Sequence, residues 1–259
     1  MREASHNIVY KKRKNRKRQL RRRIFLVVCF LILILLLFTK SAGIISAVTA
    51  YRLRVNDYPA SLVALMERNP EARQFVLDYP KNKDNHAQID LSGEVTHGEI
   101  PLFLQWDERW GYETFGNDFL AVTGCGPTCL SMVTCGLSGN SEWNPYQVAS
   151  FADQSGYYVP GAGSSWDLME SGAASLGLQV HSIASDATEI TNALQSGMPV
   201  ICSMRPGDFT TSGHFIVLTG VNDKGKIIVH DPNSRKNSEK SWDIDTLIPQ
   251  IKGLWAYSC

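Results

Sequence analysis

Between Ile24 and Phe38 the chain runs through fifteen apolar residues, IFLVVCFLILILLLF, without a charge among them. Such a stretch has to leave water, and it divides the chain into a part before it and a part after it. Residues 1–23 hold eleven Lys or Arg and one acid, a net +10, whereas the remainder holds fifteen basic and 24 acidic residues, a net −9. A basic block of that density suits nucleic acid or the inner face of a membrane. The apolar run directly behind it selects the membrane, so no nucleic-acid partner is expected. Fifteen residues fit a signal-peptide core better than a full span of about 20. Thr39 and a snorkelling Lys40, however, lengthen the apolar stretch toward Ala50. The sequence therefore predicts a basic cytoplasmic tail over 1–23 and a transmembrane signal anchor or signal peptide over 24–50. The C-terminal bulk is placed outside the plasma membrane, single-pass, or secreted if the small-residue site at Val48–Ala50 is cleaved.

Residues 51–96 read as a helical arm and linker. Pro59 suits a first helical turn, Leu62, Val63, Leu65 and Met66 form an apolar stripe, and Asn69 caps a second helix with Pro70 at its first position. Residues 81–99 are polar and poor in pattern. From 97 to 259 the chain reads as one domain. A short strand, IPLFLQ, leads into the aromatic-rich WDERWGYETFGNDF. A helix then opens at GCGPTCLSM, a second is capped by Asn144, a third begins at Ser164 or Ser165 and stops at Gly177, and a fourth ends before Gly197. Strands follow mainly in the second half: LQVHSI, PVICSM, HFIVLTGV, KIIVHD and a closing GLWAYS, with NDKG as the turn between the third and fourth. Helices first and an antiparallel sheet later predict an α+β fold of two lobes.

The stretch from Gly124 to Met132 carries the chemistry. Gly124 and Gly126 permit a tight backbone around Cys125, and Pro127 is pre-set for the first helical turn. The thiol thus sits where unpaired N–H groups and the positive end of the helix dipole converge, which favours thiolate. The same N–H groups suit a developing oxyanion. A thiolate nucleophile needs a proton partner, and that partner needs orienting. His214 begins one strand and Asp231 ends the next, so pairing through the NDKG turn brings both to the open end of one hairpin. Alternation points His230 to the opposite face from Asp231. Gln105, at the entry to the aromatic loop, has a side-chain amide suited to oxyanion donation. Trp106 and Trp110 either line a cleft or pack. Five cysteines follow the anchor, an odd number, which leaves at least one thiol free unless a bridge joins two chains. The spacing of Cys125, Cys129 and Cys135 lacks the paired C-x-x-C form of a zinc site, and neither a metal nor a cofactor is expected.

Gln105 in LQWDERW, Cys125 in GCGPT, His214 in SGHFIVLTG and Asp231 in HDP occur in an order that resembles the papain-like cysteine peptidases related to the bacteriocin-processing, double-glycine leader peptidases. The resemblance covers about residues 97–259. It implies a papain-like two-lobed fold, with a helical lobe carrying the cysteine and an antiparallel sheet carrying His and Asp. It also implies Cys125 as nucleophile, His214 as base, Asp231 as its orienting carboxylate, Gln105 as oxyanion donor, and a peptide or protein substrate. The chain has no ATP-binding transporter portion. In papain itself the nucleophile is the later cysteine of a similar pair, which makes Cys129 the competing assignment. The helix tip, however, falls at Cys125. Two other functions use the same features: an amidase or transpeptidase on cell-wall or small amide substrates, and a catalytically silent extracellular binding module.

Overall fold

Six strands, β1 Gln179–His181, β2 Val200–Met204, β3 His214–Val221, β4 Ile227–His230, β5 Ser241–Trp242 and β6 Ile251–Ser258, form one antiparallel sheet in the order β1-β6-β2-β3-β4-β5. Every residue of β2 is buried, because its alternate side chains enter two different cores. Ile201 joins Phe215, Val217, Trp255 and Tyr257 on one face. Val200, Cys202 and Met204 join Ile216 and Leu218 on the other. The structure is a computed structural model that describes residues 23–32, 47–55, 58–85 and 88–259.

Five helices are long enough to shape the body: α1 Ala60–Arg68, α2 Arg73–Asn82, α3 Cys125–Ser138, α4 Pro145–Gln154 and α5 Ala187–Gln195. Helix α3 is buried from Gly126 through Gly136, as expected for a helix apolar on all sides. It lies against β3 and α4. It ends at Gly139, whose φ of +69° closes the helix by an N–H bond to the Cys135 carbonyl, a conformation open to glycine at little cost. Asn144 caps α4, its side-chain oxygen accepting from the N–H groups of Tyr146 and Gln147. Helix α5 covers the second core through Ile190, Ala193 and Leu194.

Two elements differ from the sequence expectation. IPLFLQ is extended but pairs in no ladder; its one long-range backbone donor, the Gln105 N–H, goes to the Pro232 carbonyl at 2.8 Å. The third helix is broken into a 3-10 turn, Trp166–Leu168, and a short helix, Ser171–Ser175. The break follows from packing: the Tyr257 hydroxyl donates to the Met169 carbonyl at 2.9 Å and Trp255 Nε1 donates to Glu170 at 2.8 Å. The Tyr257 hydroxyl thus gives the Met169 carbonyl the partner that a continuous helix would supply.

The chain divides into two units, residues 1–58 and 59–259. In the first, residues 23–32 and 47–55 are helical, and Ile24, Phe25, Leu26 and Phe30 are exposed. Among the described residues no helix is long and apolar enough to cross a membrane. The expected span over 24–50 includes residues 33–46, which lie outside the described residues. In the second unit, α1 and α2 pack as part of the body. Leu62, Val63, Phe75 and Val76 are buried. Phe75 stacks on Tyr112 with ring centroids 4.2 Å apart, and Ser61 Oγ donates to Asp118 at 2.7 Å.

Asn144 accepts two first-turn N–H groups of a helix that packs on α3. Asn144→Ala is expected to cost about 1 kcal/mol, read as a lower denaturant midpoint with an unchanged slope.

Candidate active site

The cysteine is presented by a break between two helical segments. A single turn over Leu120–Thr123 stops at Gly124, and α3 begins at Cys125. A side chain on Gly124 would press on the Leu120 carbonyl, and one on Gly126 would collide with Ser164 Oγ. Both glycines are therefore needed where the sequence has them. The break leaves the Cys125 and Gly126 N–H groups without intrahelical acceptors. The Cys125 sulfur, half-buried, lies beside the His214 imidazole and the N–H groups of Gly126 and Phe215.

His214 opens β3, and Asp231 directly follows β4. The register Val217↔His230 and Val221↔Ile227 puts both at the open end of this hairpin. His214 Nε2 donates to Asp231 Oδ1 at 2.7 Å, with the two residues 8% and 1% exposed. With Nε2 committed, Nδ1 is the nitrogen left for the sulfur. The Asp231 carboxylate also accepts from the Asn233 N–H at 2.9 Å and from Asn237 Nδ2 at 2.8 Å.

Burial alone would raise the Cys125 thiol, but the hydrogen bond and charge of His214, aided by the two N–H groups, hold it below its ordinary value. Burial alone would lower His214; the Asp231 charge and hydrogen bond, then the Cys125 sulfur, push it up to about 10. The opposed shifts describe one coupled pair, an ionised thiolate beside an imidazolium. Cys129 lies fully buried inside α3, and burial pushes its thiol well up. Burial likewise raises Cys135, to about 11, and Cys202. All five cysteines after residue 50 are free thiols, and among the described residues no cluster of His, Cys, Asp or Glu suits a metal ion.

Gln105 is 3% exposed. Its Nε2 donates to the Ala121 carbonyl at 2.7 Å, which uses one of the two amide hydrogens. Its Oε1 has no hydrogen-bond partner. Gln105 and Cys125 border the same cavity of about 420 Å³, together with His214, Asn233, Leu65 and Arg68. A second cavity, of about 560 Å³, adjoins Cys125 and His214 through Ser164, Trp166, Met204 and Arg205. The two make a groove passing over the sulfur. A further cavity, about 740 Å³ beside Trp166, Leu178 and Trp255, touches none of the four candidate residues and lacks the groups that chemistry requires.

A helix-borne thiol facing a strand-borne imidazole, itself met by a carboxylate at the head of a loop, is an arrangement suited to acyl transfer. The model of the Peptidase_C39 like family matches residues 97–258. The chain belongs to this family. No curated protein matches it. Membership in the Peptidase_C39 like family points to cysteine-peptidase activity on peptides or proteins.

Within this Peptidase_C39-like domain His230 stands apart from the site, its Nδ1 3.1 Å from the Pro101 carbonyl. Trp110 is buried, donating to the Leu104 carbonyl, and Trp106 donates to Asn233. Sequence reasoning missed Asn233, Asn237 and the Phe215 N–H. The run Asp231-Pro232-Asn233-Ser234 does carry a turn signature, which could have flagged a loop folded onto its own carboxylate.

Because thiolate is the reactive form, alkylation of Cys125 by iodoacetamide should set in at lower pH than for an ordinary thiol. It should fall in acid, as the lowered thiol regains its proton. In His214→Ala only the two N–H groups still oppose burial, so the limb moves up toward the ordinary thiol value of about 8.5. Mapped labelling against pH measures both limbs; an unmoved limb in His214→Ala contradicts the pairing.

Proposed function

We propose that this chain is a cysteine peptidase of papain-like two-lobed fold that hydrolyses peptide bonds through Cys125, His214, Asp231 and Gln105. The carrying observation is the Cys125 thiol at a helix start, facing an imidazole held by Asp231 at 2.7 Å. The thiolate attacks the scissile carbonyl carbon, and the carbonyl π electrons move to oxygen. That oxyanion is received by the Cys125 N–H and the second Gln105 amide hydrogen. Collapse of the adduct breaks the C–N bond as the His214 imidazolium gives its proton to the leaving amine. A thioester joins the acyl part to the sulfur. His214, now neutral, takes a proton from water, whose oxygen displaces the sulfur and restores thiolate and imidazolium. Asp231 holds the ring in the tautomer that leaves Nδ1 toward the sulfur and stabilises the charged form. The reaction requires no cofactor.

The domain is proposed to act outside the plasma membrane, tethered by the apolar segment beginning at Ile24. The supporting observations are the +10 charge of residues 1–23, which favours retention on the cytoplasmic side, and the exposed apolar side chains of the 23–32 helix, which suit a lipid surrounding.

Cys125→Ala should abolish peptide hydrolysis, whereas Cys129→Ala should leave it substantially intact. Gln105→Ala should lower kcat by about 10²- to 10³-fold with the fold retained. Turnover of fluorogenic peptides with circular dichroism checks all three, and full activity in Cys125→Ala would overturn the mechanism. Protease added to intact cells should remove residues from about 52 onward while sparing an N-terminal tag; protection of the domain would refute the topology.

A further inference from the structure

Asp231 is 1% exposed and stands at the head of a loop rather than within a strand. The loop folds back on it. The Asn233 N–H and Asn237 Nδ2 donate to the carboxylate, and the Asp231 N–H donates to Ser238 Oγ at 2.9 Å. The helical part of this loop, Arg235–Ser238, is four residues long, too short to hold a shape unaided. Its anchor comes from about 160 residues earlier in the chain.

Asn69, itself 8% exposed, donates through Nδ2 to the Asn233 carbonyl at 2.7 Å and to Asn233 Oδ1 at 2.9 Å. Its other side-chain atom, Oδ1, caps the next helical turn by accepting from the Glu71 N–H at 3.0 Å. Glu71 in turn accepts from the Ser234 hydroxyl at 2.6 Å and from the Lys236 N–H at 3.3 Å. Ser234 Oγ accepts from the Asn237 N–H at 3.1 Å, and Asn237 is the residue that meets Asp231 Oδ2. Asn69 therefore grips Asn233, one loop donor to the carboxylate, directly, and Glu71 reaches the other, Asn237, through Ser234. Both lie outside the 97–258 family match. The same segment also supplies Leu65 and Arg68 to the cavity beside Cys125.

We propose that Asn69 and Glu71 are positioning residues of the peptidase: they fix the 231–238 loop so that Asp231 meets His214. The segment preceding the family domain is thus a working part of its active site rather than a spacer. The inference rests on the Cys125–His214–Asp231 reading. The effect is at one remove: the side-chain bonds of both residues go to the 231–238 loop and not to Cys125 or His214, although Asn69 also borders the cavity beside Cys125.

The test uses the full-length chain. Asn69→Ser keeps a neutral cap oxygen for the Glu71 N–H but cannot supply the two donors to Asn233. A structural role alone therefore predicts little change. Positioning predicts that kcat falls about tenfold or more, as misplacement of a catalytic group does. KM and the thermal midpoint should stay near wild type, and alkylation of Cys125 at neutral pH should slow in step. Glu71→Ala should behave similarly, and Glu71→Gln, which keeps an oxygen for the Ser234 hydroxyl, should recover part of the loss. Unchanged kcat and labelling in Asn69→Ser and Glu71→Ala overturn the proposal and leave the active-site reading intact. So does a loss that tracks the thermal midpoint alone. Wild-type protein lacking both turnover and selective Cys125 labelling would refute the reading itself and the proposal with it. Selective labelling without peptide turnover leaves the labelling rates of the variants to decide.

Discussion

A carboxylate taken out of water is a liability unless its lone pairs are met, and the arrangement of this protein around Asp231 follows from meeting them. One oxygen receives an imidazole and a backbone N–H, and the other a side-chain amide. The imidazole must come from the neighbouring strand, so the β3–β4 register is fixed by the site as well as by the core. The amide must come from a loop that doubles back within six residues. The Gln105 N–H bond to the Pro232 carbonyl ties Gln105, which borders the cavity beside Cys125, to the same loop. Satisfying one buried carboxylate thereby draws together three separate stretches of chain.

The neighbouring thiols show how strongly position decides reactivity. Cys125 and Cys129 are a helical turn apart in the same helix, yet their thiols are displaced in opposite directions. Both suffer desolvation. Cys125 alone has a facing imidazole and two N–H groups to offset it, one N–H left over because the helix begins there, the other supplied with the imidazole by β3. One turn further on, the backbone N–H groups are consumed by the helix and the side chain points into packed core. The electrostatic difference is therefore written in backbone geometry rather than in residue type.

Much of this was legible in the sequence wherever the signal was local. Asn144 with Pro145 and Gly197 after α5 mark their helix ends by cap chemistry, and β-rich runs bounded by turn residues identify β1 to β4 and β6. The closeness of His214 and Asp231 is a consequence of hairpin closure through NDKG, which needs no distant information. What was not legible depends on distant partners. IPLFLQ has strand composition but finds no neighbour with free ladder groups. Ser164 to Gly177 has helical composition, yet Tyr257 and Trp255 reach across from β6 and hold it in two pieces. Asn69 reads as a helix cap, which it is; that its remaining donors reach Asn233 is invisible without the tertiary fold.

Strand β6 lies between β1 and β2 although it follows every other strand of the sheet in the sequence. During synthesis β1 and β2 thus emerge with unfilled edges and wait for residues 251–258. Until then the two halves of the sheet have no shared hydrogen bonds, and Trp255 and Tyr257 are missing from the first core. Non-local pairings of this kind close late. A growing polypeptide would therefore carry its thiol and its imidazole without a finished frame to align them, and the enzyme's own maturation would be deferred until translation had passed the last strand.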